Sequence, residues 1–240
     1  MIKFRDSPDF SDEDTSCSEE ARLRAGVRTA RWFEFSWKNG AMNLVPYRHW
    51  LLKDALPADV ARAVTLLPIS PTAIEDTQGR RDSHNSSRTF FTRENCQKLA
   101  VCDVIALAFQ SPKLVAQLTR STGVNFVGSY LRIEYCQDGD GFWLEPHTDI
   151  GAKLLTLTVY LSDTPGCEHW GTDVYDSNRK HVYRVPAAYN NAYAFVPSSD
   201  TWHGVERRSF LGVRRSIIVN YVKPEWRSRH ELAFPDIPIE

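Results

Sequence analysis

The sequence predicts an α+β fold in which helices come first and an antiparallel β-sandwich or barrel follows. Three observations carry that expectation. Between residues 57 and 123, apolar side chains recur at helical spacing, bounded by Pro, Ser and Gly. After Gly123 the chain turns to short β-branched and aromatic runs separated by Gly, Pro, Asn and Asp. A length of 240 residues, 42% of them hydrophobic, is enough to bury one large core.

Taken in order, residues 1–25 are polar, acidic and nearly free of aromatics, and read as a disordered or loosely attached tail. Residues 26–240 read as a single domain. "ARWFEFSW" (30–37) reads as a strand and "KNG" (38–40) as the turn after it. In "LPADVARAVTLLP", Pro57 and Asp59 stand at the start of a short helix. "TRENCQKLAVCDVIALAFQ" (92–110) reads as one helix and "SPKLVAQLTRSTG" (111–123) as another. Ser111 would cap the second, Pro112 takes its first helical position and Gly123 stops it. Helical support thus spans 41–123. "SYLRIEYC", "KLLTLTVYLS", "TDVYD", "HVYRVP", "AYAFVP" and "RRSIIVNYV" supply the strands of a core over 124–222. The amphipathic "KPEWRSRHELAFPDIPIE" (223–240) reads as a segment covering the sandwich, a dimer contact being the other reading. Oligomeric state stays open.

Lys plus Arg total 29 against 30 for Asp plus Glu, so charge gives no reason to expect nucleic acid or an anionic membrane as partner. No apolar run approaches the ~18 residues that cross a bilayer, and the N-terminus lacks the order of a secretory signal. Cys17, Cys96, Cys102, Cys136 and Cys167 are odd in number and without CxxC spacing. That pattern points to reduced thiols in a cytoplasm, not to a disulfide framework or a zinc knuckle.

"EPHTDIG" carries His147 and Asp149 two residues apart, a spacing that a strand places on one face. His203, in "TWHGVERRSFLGVRRSIIVNYV", follows the predicted strand "AYAFVP" and offers a third ligand. In a jelly roll, residues distant in sequence but on facing strands meet inside the barrel. Two imidazoles and a carboxylate leave coordination positions open, which is the ligand set of the facial triad of non-haem Fe(II) oxygenases. Imidazole and carboxylate also suit zinc, so ligand types alone do not fix the metal. The strand after His203 has an arginine on each face. Arg214, Ser216, Ile218 and Asn220 form the more polar one. If that face points inward, its guanidinium needs an anion, and a carboxylate fits the guanidinium fork.

These residues resemble the Fe(II)/2-oxoglutarate-dependent oxygenases, above all the prolyl-4-hydroxylase-like branch with the double-stranded β-helix (jelly roll, cupin-like) fold. The resemblance rests on "HTD", on His203 after 53 intervening residues, and on "GVRRS" beyond it, and covers roughly residues 128–222. It implies Fe(II) held by His147, Asp149 and His203. It also implies 2-oxoglutarate held through its distal carboxylate by Arg214 of the G-x-R-x-S stretch, with Ser216 assisting. Tyr135, on the strand before the triplet, matches a tyrosine that often binds the co-substrate, and Tyr130 is the weaker choice. Lys153 is a rival anchor, since a related branch uses a lysine after the triplet. Arg215 is the other arginine of the same stretch. Asp149 stands where the related halogenases have a small residue, so hydroxylation or another oxidation is favoured over halogenation. The family's "GG" reads Gly171-Thr172 here, a departure that bears on the substrate entrance.

The activity implied is a 2-oxoglutarate-dependent dioxygenase that hydroxylates an unactivated C–H bond with O2 and releases succinate and CO2. A small molecule is the first expectation for substrate and a peptidyl proline or other protein side chain the second. Two readings of other classes stand beside it. One is a cupin-like metalloenzyme that does not use 2-oxoglutarate, and the other a non-catalytic jelly-roll binding module. "GRRDSHNSSRTFF" (79–91) is either a lid whose Arg80, Arg81 or Arg88 meets an acidic substrate group, or a solvated loop anchored by Phe90 and Phe91. His49, His84, His169, His181 and His230 read as structural or exposed.

Overall fold

The computed structural model describes residues 19–72, 78–80 and 87–240. Helix α1 (Glu19–Asn39) opens it. This corrects both the strand expected at 30–37 and the tail expected to run to residue 25. The eight-residue window is too short to separate alternation from a helical repeat. Over the longer stretch, Gly26, Ala30, Phe33 and Trp37 form one buried stripe at helical spacing, while Trp32 and Phe35 face outward.

Helix α2 (Ala58–Thr65) begins after Pro57. The single helix expected over 92–110 is two, α3 (Arg93–Lys98) and α4 (Ala100–Gln110), because Leu99 is extended at φ −123°, ψ 96°. Thr92 caps α3 by accepting from the Asn95 N–H. Helix α5 (Pro112–Thr122) has its proline in the first turn and stops at left-handed Gly123, but the Ser111 side chain makes no capping bond.

Among the described residues the strands form two antiparallel sheets. The larger has the order β1-β2-β9-β6-β11-β4-β3. Its strands are β1 (Ala41–Asn43), β2 (His49–Leu52), β3 (Arg88–Phe90), β4 (Tyr130–Asp138), β6 (Lys153–Tyr160), β9 (Ala192–Phe195) and β11 (Arg214–Val222). The smaller sheet, β5-β10-β7-β8, contains β5 (Leu144–His147), β7 (Asp173–Tyr175), β8 (His181–Arg184) and β10 (His203–Val205). Tyr160, Tyr193 and Phe195 of the large sheet meet Val174 of the small one in a core between the sheets. The helices pack on the outer face of the large sheet, against Leu131, Ile133, Leu157, Ile217 and Val219. This is the α+β jelly roll, with the described α-helices on the outer side of the large sheet.

Strands β1, β2, β3, β5 and β10 go beyond the six expected. Each is three or four residues long, so alternation has little length in which to show. The C-terminal segment runs along β4: the Ala233 N–H donates to the Leu131 carbonyl at 3.0 Å, and that of Ile239 to the Ser129 carbonyl at 2.8 Å. Among the described residues no single helix is long and apolar enough to cross a membrane.

Candidate metal centre and the cavity behind it

His147 is the last residue of β5 and His203 the first of β10, and the ladder pairs them directly. Their ring centroids are 4.4 Å apart, with planes at 50°. Asp149 is not on the strand, as its spacing had suggested, but in the loop that leads into β6. One ligand atom from each of the three lies within 4.8 Å of the others. Gly204 lets the strands come this close. A Cβ there would stand 2.8 Å from the Leu144 carbonyl oxygen, and a bulge follows before Val205.

Both imidazoles are set to the same tautomer. His147 Nδ1 lies 2.8 Å from the Glu145 carbonyl and His203 Nδ1 lies 3.0 Å from that of Thr201. A carbonyl only accepts, so each Nδ1 carries the proton and each Nε2 presents a lone pair. Burial, and then the neighbouring His147, push His203 down to about 3, which keeps it neutral at ordinary pH. Asp149 accepts from Lys153 Nζ at Oδ1 and from Thr156 Oγ at Oδ2, each at 2.5 Å. Two imidazole donors and one oriented carboxylate fit a divalent transition metal. A second cluster, Asp173, His181 and Glu206, fits one less well, because its carboxylates are paired with two guanidiniums, Arg184 and Arg208, where Asp149 meets the single ammonium of Lys153.

Both histidines border a cavity whose wall also includes Arg88, Asp138 and Arg214. Strand alternation puts Arg214, Ser216, Ile218 and Asn220 on the inner face, beside Asp138, Cys136 and Glu134 of β4. The Ser216 hydroxyl is buried without a hydrogen-bond partner among the described residues. Arg215, one residue on, is on the opposite face.

Tyr135 requires a correction. It shares parity with Leu131 and Ile133 and packs with them in the helix-side core, so it does not border the cavity. Tyr193 does, and buried Tyr160 bonds a second residue of its wall, Thr172, at 2.8 Å. Tyr130 lies at the start of β4 with Arg229 over its ring. Thr172 therefore stands in the cavity wall, while a Cβ on Gly171 would collide with the Val185 carbonyl.

Residues 81–86 of the expected lid, Arg81 and His84 included, lie outside the described residues. Arg88, half-buried on β3, turns its side chain inward to pair with Glu134 at 2.8 Å, and Phe91 is fully buried. Arg80 leaves Gly79 against β5, where the Gly79 carbonyl accepts from the Glu145 N–H at 3.0 Å. Sequence reasoning missed Asp138, although its parity with Glu134 and Arg132 marks β4's inner face as charged.

The architecture defines a class: the chain has the fold of the prolyl-4-hydroxylase-like 2-oxoglutarate oxygenases. It is similar to a Pseudomonas putida prolyl-4-hydroxylase at 12% identity and a TM-score of 0.51, covering 81% of this chain and 98% of that one. It is also similar to a Trichoplax adhaerens prolyl hydroxylase in complex with a hypoxia inducible factor oxygen degradation domain peptide fragment. There the identity is 10% and the TM-score 0.53, over 90% of this chain and 98% of the other. A Phytophthora capsici prolyl 4-hydroxylase gives 11% and 0.52, over 89% and 68%. No protein-family model and no curated protein matches the sequence.

Proposed function

We propose that the protein is an Fe(II)- and 2-oxoglutarate-dependent dioxygenase that hydroxylates a C–H bond. The observation that carries this reading is the facing pair His147 and His203 with Asp149, all offering ligand atoms within 4.8 Å, at a cavity that also contains Arg214. His147 Nε2, His203 Nε2 and the Asp149 carboxylate would hold the iron. The bound iron, with 2-oxoglutarate and O2, would supply the oxidising power, with release of succinate and CO2. The chain does the rest. The Glu145 and Thr201 carbonyls fix the imidazoles, Thr156 orients the carboxylate, and Arg214 with Ser216 receives the distal acid group. Phe195, whose ring centroid lies 4.7 Å from that of His203, keeps one side of the centre dry.

The substrate is first a small molecule, and the described cysteines, all free, suit a reducing cytoplasm. The peptide held by the Trichoplax neighbour favours a peptidyl side chain as the second reading. The test is an anaerobic titration of the iron-loaded protein with 2-oxoglutarate, followed by its visible charge-transfer band. We expect a band with wild type and none with His203→Ala; no band with wild type, or an equal one in the variant, rejects the reading.

A further inference from the structure

Arg214 is not a spare cation. Its Nη1 donates to Asp138 Oδ2 and its Nε to the Trp170 carbonyl, both at 2.6 Å. Arg214 and Asp138 are cross-strand partners on β11 and β4, and their side chains are 7% and 2% exposed. The rings of Phe142 and Tyr160 lie 6.0 and 5.9 Å from the guanidinium carbon. Among the described residues these are the guanidinium's hydrogen bonds, which leaves Nη2 over, and Ser216, two residues along the same face, has its hydroxyl buried without a partner there. Asp138 Oδ1 is in the same condition. A carboxylate thus has donors to meet, but the charge that would draw it in is already offset.

We propose that Asp138 is an affinity-setting residue, a built-in counter-anion that weakens dicarboxylate binding at Arg214; this rests on the 2-oxoglutarate reading above. A distal carboxylate arriving at a neutral buried pair leaves one negative charge without a counterpart, which a poorly solvated site resists. Asp138→Asn keeps an oxygen to accept from Nη1 and removes the charge. The guanidinium then becomes a lone buried cation that the ligand itself neutralises. The variant should melt below wild type when unliganded and bind 2-oxoglutarate roughly tenfold to a hundredfold more tightly. That direction is opposite to the loss expected from disturbing an ordinary binding residue.

The experiment measures the Kd of 2-oxoglutarate on iron-loaded protein without oxygen, by the charge-transfer band. A second readout is the thermal shift that glutarate gives the metal-free protein, since glutarate has the distal carboxylate but no keto acid to chelate iron. Both should show tighter binding in Asp138→Asn. The double change Asp138→Asn with Arg214→Gln should fold and lose the gain, because it removes both charges together. An unchanged or weaker Kd in Asp138→Asn overturns the proposal, leaving Asp138 as a residue that merely orients Arg214, or the anchor at Lys153. If wild type binds 2-oxoglutarate but the variant gains nothing, this inference alone falls. If neither binds, the oxygenase reading falls with it.

Discussion

The two faces of the large sheet are built from the same strands and obey different physics. On the outer face Leu131, Ile133, Leu157, Ile217 and Val219 meet the helices in a dry core. On the inner face the alternate residues Arg132, Glu134, Asp138, Thr156, Arg214, Ser216 and Asn220 are buried and polar. Glu134 accepts from both Arg88 and Arg132, and Arg132 reaches on to Glu231. The outer face is held by area removed from water. The inner face is held by partners, and each of its groups is costly when one is lost. One parity of β4, β6 and β11 therefore faces the helices and the other the cavity beside the candidate site.

That division can be broken at four places. The largest effect belongs to His203→Ala, which should cut iron affinity by more than roughly a hundredfold while the melting temperature stays within a few degrees. Parallel iron titration and calorimetry check it, and a collapse in stability would mean that the small sheet opposite the inner face also carries the fold. Glu134→Gln should cost about 3–5 kcal/mol, since it unbalances buried Arg88 and Arg132, read by denaturant unfolding. On the outer face, Leu157→Ala should cost about 2–5 kcal/mol from lost transfer energy plus a cavity. Its folded fraction should bind iron like wild type.

The smallest effect is a slope. His49 is buried, with Nδ1 at the Tyr47 carbonyl and Nε2 at the Tyr183 hydroxyl, and burial lowers its pKa below the ordinary 6.5. Below about pH 6.5 the unfolded chain takes up a proton that the folded chain refuses. Stability conferred by the neutral ring is thus complete above that pH and is lost as pH falls toward the folded pKa, at most about 1.4 kcal/mol per pH unit. Urea unfolding from pH 7 to pH 5 should show a shallower dependence in His49→Gln.

Much of this was legible in the sequence, for identifiable reasons. The helix α5 boundaries follow from Pro112 and Gly123, whose backbone preferences are local. The long strands β4, β6 and β11 show themselves because eight or nine residues are enough for composition to speak. The centre was legible because His147, Asp149 and His203 are chemically distinctive. What escaped was set by tertiary context. Helix α1 hid behind its aromatic residues, and Leu99 breaks a helix that its neighbours favour. Strands β5 and β10, which carry the histidines, are short, and Pro146 obscures the first. Tyr135 was placed in the cavity by analogy, although it alternates in step with Leu131 and Ile133. The Asp138 partner of Arg214 depends on a cross-strand register that no single segment declares.

The contact of Gly204 with β5 has one more consequence. It makes the paired imidazoles a gauge of strand alignment, since sliding β10 by a single residue turns His203 away from His147 while leaving a sheet behind. On the proposed function, a protein with the wrong alignment would keep its far-ultraviolet spectrum and solubility yet fail to hold a metal, so metal uptake would report correct assembly of the small sheet more sharply than any measure of secondary structure.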